Sequence, residues 1–542
     1  MNPNEITLIS QHDNAEKIEE FLKSFLDKFI DKFNLLELTS SGQWTFLWNQ
    51  LFNLLKNTET KLLCLQAIRI LSRDKMYLNE TVKEEEFDLL LELASIGVGD
   101  QDFPPEVQVE ALKILCNLVY QSCKCQEFCL KNSAVEGILK RLRMLKEYHI
   151  NDDIRLFDMR LLFLITALTP NVRSKVRDDY HGLIYLVETL DFMMKKNSIE
   201  VFENHEINII NEILKVLYNI TETNLSTVET EEDDAHQLQR LTIMLNDLLR
   251  YKAHSTELTE DLYSYIINLL TSIPVSCYVE LFPSENLNIS KRSDSQFYES
   301  HDIHCVNIFI HFLDKRLKNF NEGKQEENLK MENISKEYEN IPPILIVMIK
   351  SVQCSSAIRH YVKSKILPPL QDVKNRPEHG TEMRNILCQL LTYPSAQISD
   401  LVAEFLFILC KENVDRMIKY TGYGNAAGIF AKRGLLAGQN TGNHQQYSSD
   451  SEESDTEEYI KYKHSINPII GCYETPQKNP LEGLSEEQKE YEAEQLVNLI
   501  DKLHRKGIVK PCKIADGKPV PIEHVLELQQ LPKEHQEHNE NL

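Results

Sequence analysis

The sequence predicts an all-α armadillo/HEAT-like solenoid, a right-handed superhelix, followed by a disordered acidic linker and a C-terminal helix. Three observations predict it. One apolar helical phrase recurs with a basic third residue: Ala67–Arg73, Ala111–Asn117, Asp158–Leu164 and Ile213–Asn219. The basic residues Arg69, Lys113, Arg160 and Lys215 are 44, 47 and 55 residues apart, and a self-similar period in the forties marks such repeats. Gly and Pro are sparse, at 17 and 19 residues, and no period-two pattern recurs, so helices are the expected elements. Finally, 542 residues exceed one compact core, a limit a solenoid escapes because each repeat packs only on its neighbours.

In chain order, residues 1–60 read as an N-terminal helical cap, with Ile18, Phe21, Leu22, Phe25, Leu26 and Phe29 at three- and four-residue steps. Residues 61–438 read as the repeat solenoid, of about eight or nine repeats. Acidic loops at 222–236 and 284–302 and a polar insert at 321–340 interrupt it. Helical phrases resume at Ile344–Val352, Met383–Leu391 and Val402–Leu409. Residues 439–484 form an acidic, phosphorylatable linker: Gln439–Gln446 has no apolar face, and Tyr447–Glu458 is too charged to bury itself. A C-terminal helix follows at 485–510. Ser485 and Gln488 have capping-box spacing, Ala493, Leu496, Val497, Ile500 and Leu503 form a stripe, and Gly507 is a stop. Residues 511–542 read as a flexible tail.

Charge and cysteine usage narrow the class. A formal charge of −24 argues against nucleic-acid binding, which needs a basic face, and favours a basic-surfaced protein partner. No run of 18 apolar residues is present, so no membrane span is expected. The start carries no basic region followed by an apolar core, so no signal peptide is expected. Many of the 12 cysteines, Cys64, Cys116, Cys354, Cys388 and Cys410 among them, lie inside apolar helical phrases. They read as buried reduced thiols of a cytosolic protein.

Four constellations stand out. Arg73, Asn117 and Asn219 occupy one slot in three copies of the phrase. In that slot they either line a concave groove and hold a bound segment's main chain, or cap neighbouring repeats and form internal ion pairs. Arg69 and Arg73, four apart, share a helix face and suit a carboxylate. Ser449 and Ser454 each have Glu at +3, the pattern an acidophilic kinase of the casein kinase II type reads. Once phosphorylated, the tract has a docking strip in Arg359, Lys363, Lys365, Lys374 and Arg376; the alternative is a merely solubilising linker. Thr421–Gly428 is glycine-rich, yet lacks a following Gly-Lys-Ser/Thr and a preceding strand, so it reads as a tight inter-helix turn. Cys123, Cys125 and Cys129 lack a second ligand pair at finger spacing, so no metal is expected. No cofactor motif and no nucleophile, zinc-protease or kinase signature appears, so the chain does not read as an enzyme.

Several phrases resemble one family: Arg69–Asp74, Phe157–Leu164, Ile366–Leu370, Ala403–Phe407, Ser465–Pro468 and, above all, Ile418–Gly428. Together they are similar to the synembryn, or resistance to inhibitors of cholinesterase, family, from about residue 60 to about 510. The resemblance implies an armadillo-like cytosolic protein that binds heterotrimeric G-protein α subunits without a receptor. Such proteins chaperone new α subunits and act as guanine-nucleotide exchange factors on GDP-bound monomeric α, without βγ and without covalent catalysis. It further implies a groove for the C-terminal helix of α, with Arg69, Arg73 and Asn117 meeting its terminal carboxylate and Phe157 and Phe163 beside it. Ser449 and Ser454 match the family's activating phosphorylation sites, and the helix at about 485–506 matches the segment that reaches the nucleotide-binding domain. A monomer in the cytoplasm, with recruitment to the cell cortex, is expected. The rival reading is an armadillo adaptor or scaffold of the import or junction type. Against it, the two tryptophans, Trp44 and Trp48, lie outside the repeats and build no Trp-Asn ladder.

Overall fold

The computed structural model describes residues 15–32, 35–39, 42–55, 60–97, 103–131, 133–144, 151–196, 201–222, 232–284, 296–325, 340–435, 455–474, 484–505, 512–515 and 518–521. Ser449 and Ser454 lie outside these residues. The helices that build the fold are α1 (Ala15–Phe29), α2 (Gln43–Leu54), α3 (Lys61–Leu71), α4 (Glu84–Leu93), α5 (Pro105–Gln121), α6 (Cys123–Lys131) and α7 (Ala134–Arg143). They continue as α8 (Asp152–Leu168), α9 (Gly182–Lys196), α10 (Asn204–Thr221), α11 (Glu232–Leu248), α12 (Thr256–Ser272), α13 (His304–Gln325) and α14 (Ile341–Cys354). Then come α15 (Ser356–Ile366), α16 (Met383–Leu391), α17 (Ala396–Leu409), α18 (Val414–Thr421), α19 (Tyr423–Lys432), α20 (Glu457–Tyr462) and α21 (Glu486–Arg505). Two-residue strand pairs, such as Val201–Phe202 against Lys252–Ala253, only pin loops together.

The chain separates into two compact units, Met1–Cys472 and Tyr473–Leu542. In the first, α3, α5, α8, α10, α12, α14 and α17 each pack on the next, one helix per repeat. A second row, including α7, α9, α11 and the 3₁₀ turn Val275–Leu281, packs behind it. The four recurring phrases fall on α3, α5, α8 and α10, so their period is the period of the stack; as a correction, Arg73 does not share a helix face with Arg69, because α3 ends at Leu71 and Arg73 lies in the turn after it. Helix α10 shows why: Ile207, Ile209, Ile210, Ile213, Leu214, Val216, Leu217 and Ile220 are all buried. Their spread around the helix is what an element between neighbours requires.

Among the described residues, the core is one connected cluster from Ile18 to Leu435. Burial of apolar side chains along this cluster is the main stabilising term, at about 25 cal/mol per Å². Helices α1 and α2 share this core and seal its first end. There Trp44 and Trp48 stack with centroids 5.1 Å apart, and Trp48 Nε1 donates to Glu86 Oε2 at 3.0 Å. Side-chain caps set helix starts: Asn151 accepts from Asp153 N at 2.8 Å before α8, and Asn413 from Arg416 N at 2.9 Å before α18.

The inter-helix turn that the sequence places over Thr421–Gly428 is confined to Gly422, and Tyr423–Gly428 is already the first part of the next helix. Helix α18 ends at Thr421, Gly422 turns at φ +74, and α19 starts at Tyr423. The expected disorder of the acidic linker does not extend through 455–472, which folds into the first unit as a strap. Tyr423 N donates to Pro468 O at 2.8 Å and Gly424 N to Ile469 O at 2.9 Å. These satisfy amide donors that a helix start leaves without intrahelical partners. Lys419 Nζ pairs with Asp455 at 2.6 Å, and the Thr456 hydroxyl donates to Leu370 O.

In the second unit, the expected capping box is made: Ser485 N donates to Gln488 Oε1 at 3.1 Å, and Gln488 N to Ser485 Oγ at 3.3 Å. Helix α21 runs to Arg505, and Cys512–Ala515 pairs antiparallel with Lys518–Pro521.

Candidate partner-binding face

The recurring basic residues meet across the stacked helices through carboxylates that sequence reading missed. Glu110 on α5, 9% exposed, holds Arg69 Nε of α3 at 2.7 Å and Lys113 Nζ of its own helix at 2.8 Å. One double repeat later, Glu212 on α10, 5% exposed, holds Arg160 Nε of α8 at 3.0 Å and Lys215 Nζ at 2.7 Å. The i,i+3 spacing places each Glu and Lys on one helix face. The signal was present as Glu-x-x-Lys-x-x-x-Asn at 110/113/117 and again at 212/215/219.

Asn117 Nδ2 donates to Ser72 Oγ at 2.9 Å and lies 3.4 Å from Arg69 O. Asn219 Nδ2 makes the equivalent bonds, to Thr166 Oγ1 at 3.0 Å and Phe163 O at 3.4 Å. Of the two roles the sequence left open for this slot, the inter-repeat tie is therefore present. Asn219 is buried, whereas Asn117 is half-buried and keeps surface to offer.

Arg73 reaches the chain end of α1, donating to Ile30 O at 2.7 Å. Its pKa is lowered, first by burial and then by the neighbouring Arg69 charge, with Asp31 and Glu110 opposing. Two guanidiniums so close attract a carboxylate, which would relieve their repulsion. Phe157 and Phe163 are half-buried on the same helix as Arg160. Lys113 lies 5.3 Å and Arg160 5.4 Å from the Phe157 ring, and Lys215 lies 4.4 Å from that of Phe163. Rings so placed hold the cationic stems and supply apolar contact area. The structure thus brings Arg69, Arg73, Asn117, Phe157 and Phe163 onto three consecutive stacked helices and the turn that ends the first.

The strip expected to dock phosphate divides differently. Arg359 is buried, pointing toward Val352 O at 3.5 Å. As a correction, the strip loses its first member, Arg359: of its other cations Lys363 is half-buried and Lys365, Lys374 and Arg376 are exposed. Arg359 opens α15 where that helix packs inward, which charge alone does not reveal. Lys363 lines a cavity of about 370 Å³ with His360, Lys419, Tyr420, Asp455 and Thr456. That cavity abuts Asp455, the residue after Ser454.

Among the described residues, no cluster of three His, Cys, Asp or Glu side chains could hold a metal, and no helix is long and apolar enough to cross a membrane.

The chain is similar to known proteins over most of its length. The sequence profile of the family Ric8, described as "Guanine nucleotide exchange factor synembryn", matches residues 64–518. "Chaperone Ric-8" of Drosophila melanogaster is 39% identical over 91% of each chain. "Chaperone Ric-8A" of Gallus gallus is 37% identical over 85% of each chain. "Chaperone Ric-8A" of Danio rerio is 38% identical over 85% of this chain and 84% of its own.

Proposed function

This chain belongs to the family of the guanine nucleotide exchange factor synembryn, and from that premise we propose that it is a receptor-independent exchange factor and folding chaperone for the α subunits of heterotrimeric G proteins. It binds GDP-bound or nascent α free of βγ, stabilises the nucleotide-free state, and is released when GTP binds. No covalent step is needed, because a factor that prefers the empty state shifts the equilibrium by differential affinity alone. Drawing the C-terminal helix of α onto the face of Arg69, Arg73, Asn117, Phe157 and Phe163 removes support from the guanine site. The same preference for a partly open α serves chaperoning, by covering apolar surface until nucleotide completes the fold.

The observation that carries the reading is the Arg69–Arg73 pair at one end of an aromatic-lined helix face, on a chain matched by this family over 64–518. Phosphorylation of Ser449 and Ser454 by a casein kinase II type kinase, with docking near Lys363 and Lys365, braces the C-terminal region. The protein works as a monomer in the cytoplasm and is recruited to the cell cortex. The test is to mix it with GDP-loaded α and follow uptake of a GTP analogue. Faster uptake, and a nucleotide-free complex by gel filtration, are expected; neither would appear if the reading were wrong.

A further inference from the structure

The partner-binding face carries its cation–carboxylate–cation cluster twice. In each copy two cations share one nearly buried carboxylate, so one positive charge is left over. We propose that Arg160 and Lys215, braced by Glu212, form a second anion-reading position. Its occupant is an acidic side chain on the helix of α whose terminal carboxylate the Arg69–Arg73 end takes. The inference rests on that reading of the face.

The geometry favours a carboxylate there. Arg160 is 41% exposed and engages Glu212 through Nε, which leaves the Nη edge of a fork suited to carboxylates. Glu212, 5% exposed and tied to Lys215 as well, cannot swing away, so the guanidinium is held in place before the partner arrives. Lys215 lies 4.4 Å from the Phe163 ring and 5.6 Å from that of Tyr265, and these rings lower the local dielectric around an incoming anion. On a chain of net charge −24, an acidic segment is repelled except where cations are concentrated, so the two clusters also fix where it lies.

The spacing sets the register. The first cluster spans α3 and α5 and the second spans α8 and α10, two helix spacings away, or about 16–20 Å. At 1.5 Å per residue, a bound helix would place its acidic side chain about 11–13 residues before its C-terminus.

The test uses the full chain and free-acid peptides of the last helix of α, each with one Asp or Glu changed to Asn or Gln. Affinities are read by fluorescence anisotropy at two salt concentrations. Arg160→Gln combined with Lys215→Gln should weaken binding of the unchanged peptide about five- to tenfold and reduce the salt dependence. Neutralising one acidic residue about 11–13 positions from the terminus should weaken binding similarly, with no further loss against the double variant. Thermal midpoints check that the variants fold, and Arg160→Lys, which keeps the charge, should retain part of the affinity. Equal binding by the double variant, or a loss that couples to no acidic position, would overturn the proposal. An unaltered chain that binds neither peptide nor intact α would overturn the family reading and this inference with it.

Discussion

Glu110 fixes Arg69 from the neighbouring repeat: its Oε2 lies 2.7 Å from Arg69 Nε while its Oε1 holds Lys113 at 2.8 Å. One nearly buried carboxylate thus ties two repeats and orients two cations. Glu110→Gln leaves those cations facing each other without a counter-charge. The expected cost is about 1–2 kcal/mol of stability at low salt, less at high salt, measured by urea unfolding. An unchanged midpoint would show the pair to be a loose surface contact.

The two asparagines separate structure from recognition. Asn219→Ala removes buried bonds to Thr166 and Phe163 and should cost about 1–2 kcal/mol. Asn117→Ala makes the same deletion at a half-buried site. It should destabilise less, yet weaken binding of the helix of α more. The reverse ordering in unfolding and binding assays would assign the groove role to the wrong asparagine.

Gly422 and Gly471 let the strap cross the α18–α19 turn. A Cβ on Gly422 would lie 3.1 Å from Gly471 N, and Gly422 already has φ +74. Gly422→Ala should cost about 1–3 kcal/mol and expose the strap. Limited proteolysis within 455–472 should accelerate while the helices before α18 stay resistant.

Asp158 gives a pH signature. Burial raises its pKa to about 6, opposed by the paired Arg141 at 3.0 Å. A folded-state value above the ordinary one near 4 favours folding at pH below about 4, and that contribution is lost as pH rises through about 6. The stability of the native chain minus that of Asp158→Asn should therefore shrink between about pH 4 and pH 7. A difference that grows with pH would mean that the Arg141 pairing outweighs burial.

The inner helices were legible because burial between two neighbours demands apolar residues all round, and phrases such as Ala111–Asn117 and Ile213–Asn219 display that directly. The candidate face was half legible. Its basic and asparagine slots recur in sequence, but Glu110 and Glu212 gain meaning only when adjacent repeats bring Arg69 and Arg160 to them. The strap was not legible, because main-chain carbonyls of Pro468 and Ile469 hold it to Tyr423 and Gly424. Composition registers the charges of such a segment and not its backbone bonds.

In the proposed complex the Arg69–Arg73 end of the face reads the C-terminal carboxylate of α. Binding of the Arg73→Glu variant is compared with that of the native chain, against intact α and against α lacking its last residues. A loss of about tenfold or more is expected for intact α and a much smaller change for truncated α, although Arg73 also contacts Ile30 O. Equal losses for both forms of α, or none for either, would contradict it.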